Sequence, residues 1–177
     1  MEINTDILWP FLKFPLRKFL IREVSRIIKT NHTTVRQYLE KYKEEGILLK
    51  MKGNPYSLYM ANTSSKEYKN LKIYYNLELL RTSRLIEKLE RLYDYSPIVL
   101  FGSFAKAEDD EKSDVDLCIV SDIQKTVDVS QLEKEIGRKI SIHLFTHNAW
   151  KKAKQKNPHL INNIINGITL SGQLEVI

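Results

Sequence analysis

Gly102-Ser103-Phe104-Ala105-Lys106-Ala107-Glu108-Asp109-Asp110-Glu111-Lys112-Ser113-Asp114-Val115-Asp116 is the stretch on which the reading of this chain turns. A compact apolar run, Ile98-Val99-Leu100-Phe101, leads into it from Pro97. Four apolar residues ended abruptly by Gly-Ser predict a buried strand meeting a turn. Such a turn exposes backbone N–H groups and a hydroxyl at the start of a short helix, a place that holds phosphate oxygens. Asp114 and Asp116 stand two residues apart at the head of a second apolar run that ends at Val120. On a strand this spacing projects both carboxylates from one face, where they can share magnesium and would repel each other without a cation or solvent between them. In the bland alternative Gly102-Ser103 is only a turn and Asp116 is solvated. That leaves unexplained why a charge is kept between Val115 and Leu117 in a strand with every other mark of burial.

Downstream, Gln131 to Ile136 reads as a helix stopped by Gly137. Ile140, Ile142 and Leu144 then alternate with Ser141, His143 and Phe145 as a third strand. Asn157-Pro158 supplies the cap and first turn of a closing helix whose core face is Leu160, Ile161, Ile164 and Ile165, with Gly167 as its stop. The run Lys151, Lys152, Lys154 and Lys156 reads as a solvated helix face, with an approach to a nucleic acid or a triphosphate as the alternative. His143 and His147 are four residues apart, but they straddle a strand end, which argues against a zinc pair.

Upstream, helical spacing runs through Phe11 to Phe19 and again through Ile21, Val24, Ile27 and Ile28. Thr33 or Thr34 can cap a third helix through Glu45, with Val35, Tyr38, Leu39 and Tyr42 as its apolar members and Gly46 as its stop. Ile47 to Lys52, the turn pair Gly53-Asn54, and Pro55 to Met60 read as a β-hairpin. Three helices and a hairpin are the order of a winged helix-turn-helix. After the polar break Asn62 to Ser65, Lys66 to Leu92 returns to helical spacing, as one long helix or two broken ones. The expected organisation is a winged helix over residues 1–62, connecting helices over 63–93 and a further domain over 94–177.

Charge divides at the same place. Residues 1–92 carry 18 Lys/Arg against 10 Asp/Glu, whereas residues 93–177 carry 10 against 12. The basic half suits a polyanion's phosphates and the acidic half suits divalent cations. With 42% hydrophobic and 28% charged residues the composition is that of a folded protein, which excludes disorder as the default. No apolar run reaches the roughly 18 residues of a membrane span, and the start lacks a secretory layout, so the expectation is a soluble cytoplasmic protein with no membrane partner. The lone Cys118 reads as a small buried side chain with no catalytic part.

Gly102-Ser103, ten residues, then Asp114-Val115-Asp116 resembles the signature of the DNA polymerase beta-like nucleotidyltransferase superfamily, particularly its minimal nucleotidyltransferases. The likeness covers roughly Pro97 to Leu170. It implies an α+β chain in which a mixed β-sheet with flanking helices follows the amino-terminal winged helix, and the whole resembles archaeal proteins of that construction. It also implies an enzyme. By the resemblance, Gly102, Ser103 and Lys106 bind the nucleotide, Asp114 and Asp116 are metal ligands for two Mg²⁺ ions, and Asp114, Asp116 and Ser103 form the catalytic set. An acceptor hydroxyl on a protein or nucleic acid attacks the α-phosphate of a nucleoside triphosphate, with ATP expected, and pyrophosphate leaves. The family usually supplies a third carboxylate from the next strand. Here Ser141 or His143 occupies that place, which puts the strength of the activity in doubt.

For the amino-terminal module, Thr33, Thr34, Arg36, Gln37 and Lys41 would face DNA from the recognition helix and Lys50 and Lys52 from the wing, with Arg22, Arg26 and Lys29 on the helix before. The alternative is a protein-docking module. A minimal nucleotidyltransferase is often the antitoxin that modifies a toxin's tyrosine, so a toxin is an expected protein acceptor. The competing reading of the whole chain is a DNA-binding transcriptional regulator whose degenerate transferase domain senses nucleotide without turnover. Apolar stripes from Leu71 to Leu92 would suit a homodimer.

Overall fold

The computed structural model describes residues 4–175, which divide into two compact units at Lys72/Ile73. In the first unit, α1 (Thr5–Lys13), β1 (Phe19–Leu20), α2 (Ile21–Ile27), α3 (His32–Glu44), β2 (Leu48–Met51) and β3 (Leu58–Ala61) follow in that order. The three strands form an antiparallel sheet in the order β1-β3-β2. Phe11, Phe19, Val24, Val35, Leu39, Tyr42 and Tyr59 are buried together as its core residues.

Three local expectations change here. The helix expected over Phe11–Phe19 lies earlier, because Asn4 caps it by accepting from the Ile7 N–H (3.4 Å), and Pro15, two residues past its end, cannot donate to a continuing ladder. Phe19 instead pairs with Tyr59 in a strand. The cap of α3 is Asn31, whose Oδ1 accepts from Thr33 N–H at 2.8 Å, so Thr33 and Thr34 are inside the helix. Gly53-Asn54 is part of a longer connection from Lys52 to Ser57 rather than a two-residue turn.

Helix α4 (Lys66–Thr82) carries the division between the units. Tyr68 Oη donates to Phe11 O (3.0 Å) and Lys72 Nζ to Leu12 O (2.7 Å), both within the first unit. Asn76 Nδ2 donates to Phe104 O (2.9 Å), within the second. A left-handed residue, Arg84 at φ 58°, separates α4 from α5 (Leu85–Leu92), so the connecting segment is two helices. Leu80, Leu85 and Leu89 of the apolar stripe are buried in the second unit's own core.

That unit continues as β4 (Ile98–Phe101), α6 (Gly102–Ala105), β5 (Val115–Val120), α7 (Ser130–Ile136), β6 (Ile140–Phe145), α8 (His147–Lys156), α9 (Pro158–Ile165) and β7 (Ile168–Ser171). The sheet order is β6-β5-β4-β7, with β5 parallel to β6 and the other pairs antiparallel. It is the expected mixed sheet with flanking helices. Side chains alternate across it. Ile98, Leu100, Leu117 and Ile119 pack with Leu85, Leu89 and Tyr93 on one face, while Val99, Phe101, Cys118 and Val120 pack with Trp150, Ile161 and Ile164 on the other. A sheet covered on both faces explains why β4 and most of β5 read as continuous apolar runs. Cys118 is wholly inside, and burial pushes its thiol up to about 12.

The strand β7 was not expected. It follows Gly167, where an added Cβ would meet Leu100 O at 2.3 Å and Ile164 O and Val99 Cγ1 at 2.9 Å. The backbone of α9's exit therefore presses directly on β4, and only glycine fits there. Gly167→Ala is expected to destabilise the chain by about 1–3 kcal/mol, the usual cost of overpacking, measured as a lowered denaturant midpoint with an unchanged slope.

Candidate active site

The site is assembled where β4 and β5 meet. Their register sets Phe101 opposite Asp116, so the residue after Phe101 turns back across the carboxylate. Gly102 makes that turn at φ +74°, a conformation that L side chains rarely adopt. A Cβ there would lie 2.5 Å from Asp116 Oδ2, so the missing side chain is what lets the carboxylate rest against the turn. The next residue, Ser103, is the second of α6 and half-buried, and its hydroxyl has no hydrogen-bond partner among the described residues.

Asp116 is half-buried and Asp114 exposed, and neither has an ion-pair partner among the described residues. Desolvation holds the Asp116 carboxyl above its ordinary value; nearby His143 acts in the opposite direction, and the Asp114 charge pushes it up further. The two acids stand two residues apart at the head of β5. On the far side of β5, the parallel register pairs Asp116 with Ser141 and Cys118 with His143. Ser141 Oγ and His143 Nε2 are 3.4 Å apart, and the His143 ring stands edge-on to Phe101 with centroids at 5.3 Å. Gly102, Ser103, Asp114, Asp116, Ser141 and His143 thus gather at one end of β5. Lys106 is exposed, and its ammonium contacts Asn163 Oδ1 of α9 at 3.3 Å. His147 turns to Asp122, Nδ1 to Oδ2 at 3.0 Å.

A metal ion needs more donors than these two acids provide. Among the described residues no group of three His, Cys, Asp or Glu side chains converges. Two neighbouring carboxylates without an ion-pair partner among the described residues would fit a divalent ion only if phosphate oxygens and water supplied its remaining ligands.

The loop that delivers Asp114 is ordered by contacts that sequence reasoning missed. In the acidic segment between α6 and β5, Asp109 is buried: Oδ1 accepts from Asn76 Nδ2 (2.8 Å) and Oδ2 lies 3.4 Å from Arg138 Nη2. Arg138 Nη1 also reaches Ser113 O at 3.4 Å. Asp110 Oδ1 accepts from the backbone N–H groups of Lys112 (2.8 Å) and Ser113 (3.1 Å), which holds the Asp110 carboxyl below the usual carboxylate range. An Asp followed by Ser three residues later is a turn signal that could have been read. Nothing in one dimension marks Asp109 for burial.

The family model described as polymerase beta, nucleotidyltransferase matches residues 83–174, more than half of the chain. The chain belongs to this family. Comparison with the curated proteins finds no match. The matched span of the nucleotidyltransferase begins just before α5 and ends beyond β7, so it takes in the whole four-stranded sheet and every residue of the site above.

In the residues expected to face DNA, Thr33, Arg36 and Gln37 are exposed on α3 and Thr34 is half-buried. Lys41 lies over the Tyr38 ring with its nitrogen 6.0 Å from the centroid, Lys50 is engaged by Glu40, and Lys52 is exposed.

Two outcomes are expected. Asp109→Ala strands the Arg138 guanidinium in the interior, and it should lower stability by about 3–5 kcal/mol in equilibrium unfolding. Asp116→Asn should stabilise the metal-free chain at neutral pH. The raised carboxyl means that the folded state binds more protons than the unfolded one between the two pKa values, so stability falls as pH rises through that window. The variant's gain in melting temperature should therefore vanish once the pH drops below the ordinary carboxylate range.

Proposed function

We propose that the protein transfers a nucleoside monophosphate from a nucleoside triphosphate, ATP first among them, to a hydroxyl on a protein or nucleic acid, with Mg²⁺ bound at Asp114 and Asp116. One observation carries this reading: the Asp116 carboxylate lies against the Gly102 turn, so a phosphate-holding loop and a pair of cation-seeking acids form a single site. Bound there, Mg²⁺ supplies positive charge to the phosphates and to the leaving pyrophosphate. The Gly102-Ser103 turn offers N–H groups and the unpartnered Ser103 hydroxyl to the triphosphate, and so fixes the α-phosphorus for in-line approach. The acceptor oxygen forms its bond to that phosphorus as the bond to the bridging oxygen of pyrophosphate breaks. The acceptor's proton is lost to a base, for which His143 and solvent are the groups at hand. Lys106 is close enough to this turn in sequence to steady outer phosphates, on giving up its contact with Asn163.

The first unit is read as a winged helix, with α2 and α3 as the helix-turn-helix and β2–β3 as the wing. The specific support is the element order and the antiparallel β1-β3-β2 sheet. Its basic face fits DNA, and a toxin remains the proposed protein acceptor. A second reading is favoured by Ser141. It stands directly beside Asp116 in register, where the family's third carboxylate would complete a metal set. With that group absent, nucleotide could bind without turnover and the chain would serve as a nucleotide-sensing DNA-binding regulator in the cytoplasm.

Radiolabelled ATP and Mg²⁺, with candidate acceptors, separate the two. Transfer with pyrophosphate release is expected, falling by at least about a hundredfold in Asp116→Asn and Asp114→Asn, as for loss of a group acting on transition-state charge. Full transfer by Asp116→Asn would sink the metal assignment. Absence of transfer, together with ATP-dependent DNA affinity, would leave the regulator. Ser141→Asp is expected to raise the Mg²⁺ affinity of the enzyme, read by metal titration of nucleotide binding.

A further inference from the structure

Between α2, α3 and the β2–β3 connection, the first unit holds a cleft of about 770 Å³ lined by residues from all three. Its position follows from the helical repeat. His32, Arg36 and Glu40 recur every four residues along α3 and face the cleft, whereas Thr33, Gln37 and Lys41 lie on the next stripe round the helix.

The acids of the cleft are already neutralised. Glu23 is held by Arg17 and accepts from the Leu20 N–H, and Glu40 is held by Lys50 and by Tyr59 Oη at 2.6 Å. Arg22, Arg26 and Arg36 line the same cleft and have no carboxylate partner among the described residues. Three guanidinium groups on one cleft without a carboxylate partner give it net positive charge, which an anion offsets. Their flat donor forks match phosphate oxygens. Leu20, Ile21 and Pro55 add an apolar stretch to the wall. On it stands Tyr56, 59% exposed, with the Arg22 guanidinium 5.6 Å from its ring centroid. An exposed ring beside unpaired arginines is the combination that takes a base by its flat face and a phosphate by its oxygens.

From this we infer that the cleft binds a nucleotide with an unstacked base, its phosphate on Arg22, Arg26 and Arg36 and its base against Tyr56. Duplex DNA does not fit the same description, since its bases are stacked and its backbone needs neither an apolar wall nor a ring. An acidic peptide would use the arginines and leave Tyr56 without a role. The ligand is either a free nucleotide or an unpaired residue of a strand, and both present the same phosphate and base. The inference rests on the first unit alone and is independent of transfer chemistry in the second.

The full chain carrying Asp116→Asn, in EDTA, removes the metal-dependent site from the measurement. Its probes are 5-bromodeoxyuridine monophosphate, the same base within a short single strand, the base within a duplex, and a poly-glutamate peptide. Binding is read by titration, and the photocrosslinked peptide by mass spectrometry. Crosslinks to the peptide containing Tyr56 are expected, with affinity falling roughly tenfold in Tyr56→Ala and in Arg26→Ala/Arg36→Ala. Tyr56→Phe should bind as the parent does. Binding of the monophosphate identifies a free nucleotide as the source, and binding of the strand alone identifies a nucleic acid. The inference is overturned by crosslinks confined to residues 102–116, by duplex binding that ignores Tyr56, by preference for the peptide, or by binding to none of the four. All these side chains are exposed, so circular dichroism of each variant should match the parent.

Discussion

A single close approach organises the second unit: the Asp116 carboxylate occupies the volume that any side chain at position 102 would need. The approach is possible because β4 and β5 run antiparallel with Phe101 facing Asp116, so the chain leaving β4 must pass over the acid at the start of β5. Only a glycine can make that pass in the left-handed region. Two features that look separate in the sequence, a turn and an acidic strand head, are therefore one geometric object, and the ten residues between them are the loop that closes it.

The sheet makes this object rigid and leaves it open. Apolar layers on both faces fix β4 and β5, so the position of Asp116 is set by packing on either side rather than by a mobile loop. The layers stop short of the strand head, which leaves Asp114 exposed and Asp116 half-buried. Burial raises the Asp116 carboxyl more than nearby His143 lowers it, which costs stability in the empty chain. A bound cation would reverse that term. Asp109, Arg138 and the Asp110 turn supply the opposing order, since they fix the approach to Asp114 without touching either carboxylate themselves.

What the sequence made legible depended on whether a signal was local. Strands β4, β5 and β6 were readable because runs such as Ile98–Phe101 and the alternation from Ile140 to Phe145 report burial directly. Strand β7 was not, because Ile168-Thr169-Leu170-Ser171 follows a helix stop and is a strand only through its pairing with β4. Likewise Phe14 to Phe19 carries helical spacing, yet the Phe19–Tyr59 pair claims its end for a sheet. The site acids and the turn were visible by spacing, and the family match covers them. Asp109 was invisible: its neighbours Glu108, Asp110 and Glu111 are equally acidic, and only the fold brings Asn76 and Arg138 to it.

The uneven charge of the chain acquires a physical meaning when the two units are set side by side as chemistry. On the two readings proposed above, both are suited to phosphate, by opposite means. In the first unit, arginines left unpaired after Glu23 and Glu40 are taken present positive charge directly, an arrangement that binds an anion but cannot polarise a phosphorus centre strongly. In the second, carboxylates present negative charge, which repels a phosphate; on the proposed reading Asp114 and Asp116 would hold a divalent ion that offsets this repulsion and supplies positive charge for transfer. A cation-mediated site suits turnover, and a guanidinium site suits holding. On the proposed reading, the division of charge near residue 93 separates a unit that retains a phosphorylated ligand from one built to act on another.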